Sequence, residues 1–96
     1  MTPDEEIARG RNAARVLNDT TYLEAYATVR ERIVAQLSQA ETLGDKRDRL
    51  NSLLVALATV QRYMEQVVMG GKMAAEQIER ERTLAERVSD RLNRIL

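Results

Sequence analysis

The sequence has no cysteine, no histidine, no phenylalanine and no tryptophan, and its only proline is Pro3. Without Cys there is no disulfide and no thiolate chemistry, and redox state does not constrain the compartment. Without His the commonest general base and a principal zinc ligand are missing as well. Three Tyr are the only aromatics, which argues against a large aromatic-lined pocket. Neither sign of charge dominates, since 15 basic and 15 acidic residues give a formal net charge of zero. That balance argues against a strongly basic nucleic-acid binder, but it is compatible with a local basic patch. The longest apolar run, "LLVALATV" at 53–60, falls far short of the roughly 20 residues that span a bilayer. The acidic, polar "MTPDEEIARG" is unlike a secretory signal. A soluble protein of the cytoplasm, without a membrane partner, is the expectation.

What is present is helix-forming. Ninety-six residues make one domain at most, marginal alone unless its helices pack well. Apolar residues are 44% and charged residues 31%, and the apolar set is Leu, Val, Ile, Ala and Met with three Tyr. This favours helix packing over a β core. Thirteen of the 15 basic residues are Arg, which suits bidentate pairing with carboxylate or phosphate and equally follows from a GC-rich genome.

Caps and spacing predict four helices, about 3–17, 21–42, 46–69 and 72–95, in a single unit spanning 1–96. Thr2-Pro3-Asp4-Glu5 is a helix start: Thr2 and Glu5 form a capping box, and Pro3 takes the first helical position. The first helix has a thin stripe of Ile7, Ala14 and Leu17 beside Gly10 and Ala13, so it should pack by close approach at Gly10. In the second helix Asp19 or Thr20 caps, and Tyr22, Tyr26, Val29, Ile33, Leu37 and Ala40 follow helical spacing. Gly44 suits the left-handed position that closes a helix, with Asp45 capping the next one. The third helix carries an a/d heptad seam: Leu50, Leu53, Leu57, Val60, Met64 and Val67.

The two glycines in "VVMGGKMAA" pose the main topological question. Gly-Gly is a turn signal, and two glycines inside a helix cost roughly 2 kcal/mol relative to alanines. Yet the seam's 4/3 spacing continues past them through Ala74, Ile78, Ala85, Val88, Leu92 and Ile95, failing only at Gly71 and Glu81. A hinge or turn at Gly70 and Gly71 is the preferred reading, and a bent or continuous helix the alternative. The expected fold is all-α and oligomeric: two shorter N-terminal helices plus a long antiparallel, coiled-coil-like helical hairpin. The seam residues, with Ile78, Val88, Leu92 and Ile95, should carry packing within the hairpin or between subunits.

Sites for chemistry are scarce. "MGGKMA" lacks the upstream glycine and the Ser/Thr of a nucleotide-binding loop. Asp45 and Asp48 suit capping better than metal binding. No catalytic, cofactor or metal site is expected, and the chain is not expected to be an enzyme. Glu81 either pairs with an Arg of another helix and sets register, or is rotated out to solvent. Met64, Met69 and Met73 suit gap-filling in a core, or an adaptable docking surface. Arg9, Arg11 and Arg15 on the first helix have no acid between them and could contact phosphates in a small DNA-binding or regulatory protein. Their plainer role is a solubilising face.

"EIARGRNAARVLNDTTYLEAY" followed by "GKMAAEQIERERTLAER" resembles small helical assembly proteins of tailed phages and prophages, small terminase subunits among them. The resemblance covers most of the chain. It implies a ring-forming DNA-packaging adaptor that self-associates through a helical hairpin at 46–69 and 72–96. Such an adaptor recognises viral DNA and docks a large terminase motor. It also implies location in the host cytoplasm or on the virion. The chain departs from that pattern in having no clear helix-turn-helix, and scaffolding or head-completion roles are the alternatives.

Overall fold

The computed structural model describes all residues 1–96 and contains three helices and no strand. They are α1 (Pro3–Leu17), α2 (Thr20–Leu37) and α3 (Gly44–Ile95). The all-α expectation holds and the hairpin does not. α3 is one uninterrupted helix of 52 residues, and Gly70 and Gly71 lie inside it. There is no turn at 70–71 and no fourth helix. The continuity of heptad phase across the glycines was the informative signal.

Local chemistry explains the helix starts. The Thr2 side chain accepts from the Glu5 amide at 3.2 Å, and Pro3 opens α1 where its missing N–H costs nothing. Asp4, Glu5 and Glu6 complement the positive end of that helix. The Asp19 carboxylate accepts from the Tyr22 amide at 2.9 Å and opens α2. α2 stops at Leu37, short of the expected 42. The Ser38 hydroxyl donates to the Val34 carbonyl at 2.9 Å, and Thr42 Oγ1 donates to the Gln36 carbonyl at 2.7 Å. These bonds satisfy the helix end in a short connection, and Thr42 is only 1% exposed there. Gly44 has φ +60, left-handed as expected, yet it opens α3 and does not close α2. Leu43, not Asp45, is the N-cap residue, with no side-chain cap.

α1 packs chiefly on α3, α2 packs on α3 less extensively, and α1 and α2 barely touch. α2 runs antiparallel to α3. At one end the Tyr22 hydroxyl donates to Gln61 Oε1 at 2.9 Å, and at the other Arg47 reaches the Leu37 carbonyl at 3.3 Å. Ile33 and Leu50 are buried in that half, and Gly10, Ala13, Gly71 and Ala74 in the other.

The closest packing is at Gly10 and Gly71. A Cβ on Gly10 would lie 2.9 Å from Gly71 Cα, and one on Gly71 would lie 2.9 Å from Gly10 Cα and 3.0 Å from the Glu6 carbonyl oxygen. Neither helix backbone has a side chain to move aside, so glycine is required on both. The sequence expectation of close approach at Gly10 is met, and its partner is one of the two glycines read as a turn. Gly70 faces open space.

Beyond Ala75 the chain has no compact part. Its extents are 81 × 25 × 19 Å and its radius of gyration is 22.3 Å, against roughly 13 Å for a compact domain of this length. Its accessible surface is 7808 Å², against about 5,600 Å² for a compact monomer of this mass.

Candidate association surface

The covered face of α3 is displaced from the seam read off the sequence. Leu50 is buried, and Leu54, Leu57, Gln61, Met64, Val67 and Val68 are half-buried. Leu53 and Val60 are 53% and 58% exposed. The apolar face is wide enough for two seams. α1 and α2 cover the one through Leu50, Leu54, Leu57, Gln61, Met64 and Val68. Gln61 is tolerated within it because Tyr22 donates to it and its amide donates to Glu65 at 3.2 Å.

The uncovered edge continues onto α2. Tyr22, Ala25, Tyr26, Val29, Leu57 and Val60 line an all-apolar groove of about 240 Å³. The rings of Tyr22 and Tyr26 form its wall, 6.3 Å apart between centroids. Met69 and Met73 are exposed and fill no core gap, unlike half-buried Met64.

The second exposed surface is the far half of α3. Val88, Leu92 and Ile95 stand 51%, 52% and 74% exposed on it, and Ile78, at its start, is 37% exposed. Leu84 lies beside them, also exposed. At 3.6 residues per turn these apolar residues occupy one side of the helix, with Glu81 among them. Arg80, Arg87, Arg91 and Arg94 fall within about 60° of one another on another side. Glu81, Leu84, Ala85, Val88, Ser89 and Leu92 border a shallow apolar depression. Glu81 accepts from the Gln77 amide at 3.2 Å.

Three opposite-charge pairs sit at i, i+4 spacing along this half, Glu76 with Arg80, Arg82 with Glu86 and Asp90 with Arg94, and one of them forms: Arg82 to Glu86 at 3.9 Å. Arg82 also pairs with Glu79 at 2.6 Å. The Glu79 hydrogen bond, then the charges of Glu79 and Glu86, push the Arg82 pKa up. All three side chains are well exposed, so these pairs add little stability. Glu76 with Arg80 and Asp90 with Arg94 are not paired.

Arg9, Arg11 and Arg15 do not converge. Arg9 donates to the Tyr63 hydroxyl at 3.0 Å, and Arg11 borders the opposite edge of the glycine crossing beside Lys72. Arg15 donates to the Asn12 side chain on its own helix. No group of three or more His, Cys, Asp or Glu side chains is arranged to hold a metal ion. No helix is long and apolar enough to cross a membrane.

No family model matches the chain, and comparison with curated proteins and with solved structures gave no match.

Proposed function

We propose that this chain is a non-catalytic association protein, in which a small helical head carries the far half of α3 as a docking arm. The observation behind this reading is the exposed apolar stripe Val88, Leu92 and Ile95, with Ile78 at its start, along the far half of α3. Most helix stability in proteins comes from covering an apolar face and not from propensity. Association supplies that cover. For the biological setting we propose assembly of a phage or phage-like particle. Its most specific form is DNA packaging, with the chain as a small-terminase-like adaptor docking a large terminase. Scaffolding and head completion would use the same surface. The setting rests on the sequence resemblance alone.

Sedimentation at micromolar concentration tests the association, with Val88→Asp and Leu92→Asp as variants. The wild-type chain is expected to associate, and the variants to be monomers with an intact head. A wild-type chain that stays monomeric would sink the reading. Co-purification with a large terminase, lost on removing residues 76–96, tests the setting.

A further inference from the structure

We infer that the free half of α3 pairs with the same half of a second copy, antiparallel, in a register centred between Glu86 and Arg87. This rests on the association reading above and adds the partner, its direction and its register.

Glu81 decides the direction. The seam Ile78, Glu81, Ala85, Val88, Leu92, Ile95 alternates spacings of 3 and 4 with one charge in it. In a parallel in-register pair every residue meets its own counterpart, so two Glu81 carboxylates would face each other inside an apolar seam. Like charges there are costly. Antiparallel pairing places a residues against d residues. In the inferred register Ile78 meets the partner's Ile95, Glu81 meets the partner's Leu92, and Ala85 meets the partner's Val88. The two Glu81 are then separated by 11 residues of level, about 16 Å along the axis.

The same register supplies Glu81 with a cation. Arg91 precedes Leu92, so the partner's Arg91 flanks the seam at the level of Glu81, and the two-fold axis repeats the pair. Arg91 is free for this role, since Arg82 alone holds both of the chain's ion pairs. Leu84 lies on the flank that faces the stem of that Arg91, and a long Arg stem covers apolar surface well. The stretch 79–94 carries Glu79, Glu81, Glu86 and Asp90 against five Arg, so two copies meet without a large charge excess.

The extended shape of the chain leaves more surface than a pair needs. The chain exposes about 2,200 Å² more than a compact monomer of its mass. A standard interface takes about 800 Å² from each partner.

The chain has no cysteine, so introduced thiols report without background. Three samples are oxidised mildly: Ile78→Cys alone, Ile95→Cys alone, and an equimolar mixture of the two. The antiparallel register is expected to give a disulfide-linked dimer in the mixture only. Linkage in either single sample shows a parallel pair and overturns the inference while the association reading stands. Association of the wild-type chain without linkage in any sample overturns the register. A monomeric wild-type chain overturns both. Charge reversal is the second measure: Glu81→Arg and Arg91→Glu should each weaken the dimer at least about tenfold, and the double variant should recover it. Failure of that recovery overturns the Glu81–Arg91 pairing.

Discussion

Gly10 and Gly71 touch backbone to backbone, 61 residues apart in sequence, and a methyl group on either would come within 2.9 Å of the other's α carbon. The contact fixes where α1 crosses α3. It also gives the adjacent glycines opposite roles, since nothing lies near Gly70.

Gly71→Ala and Gly10→Ala should therefore each destabilise the chain by about 1–3 kcal/mol, because backbone must shift to admit the methyl group. Gly70→Ala should stabilise it by about 0.5–1 kcal/mol through helix propensity. Urea unfolding of the three variants checks this. Equal effects at Gly70 and Gly71 would contradict the crossing.

Leu50 and Leu53 separate the covered seam from the uncovered one. Leu50→Ala should cost about 2–5 kcal/mol. Leu53→Ala should cost under about 1 kcal/mol, since that side chain is largely in water. Thermal unfolding of dilute samples reads the difference.

Asp19→Ala should cost about 0.5–2 kcal/mol by removing the acceptor for the Tyr22 amide. Asp19→Asn and Asp19→Ser should retain most of the stability. Unfolding monitored by helical circular dichroism distinguishes a cap from a charge effect, because Asn and Ser carry no charge.

Hydrogen exchange should divide α3 in two. In dilute solution amides of 76–95 should exchange much faster than those of 50–74, which α1 and α2 cover. Raising the protein concentration should slow exchange in the distal half only. Uniform protection along α3 at all concentrations would contradict an arm stabilised by association.

The starts of α1 and α2 were legible because a cap is a local arrangement: Thr2, Pro3 and Glu5 announce α1 within four residues, whereas α3 starts after Leu43 with no capping side chain to announce it. The close approach at Gly10 was legible too, from small residues beside a thin apolar stripe. Gly70 and Gly71 were misread because a glycine shows that a side chain is unwelcome without showing why. The reason at Gly71 is Gly10, on another helix. The end of α2 was missed because Ala40 continues the spacing, while the hydroxyls of Ser38 and Thr42 take up its terminal carbonyls. The choice between the Leu53 and Leu54 seams was beyond reach for a related reason. Both fit a helix, and only the neighbours decide which is covered. For the distal arm the apolar spacing was plain, but the lack of any neighbour became visible only once α3 was seen to run straight through.

An unbroken α3 converts residue number into length. Leu50 lies 45 residues from Ile95, about 68 Å along one helix. In the antiparallel pair the two heads would point away from each other, their Leu50 residues about 110 Å apart along the axis. Such a pair is a gauge. Inserting seven residues between Ala75 and Ile78 would preserve the seam's phase and lengthen each arm by about 10 Å. The spacing between the two heads is then set by the number of helical turns between them.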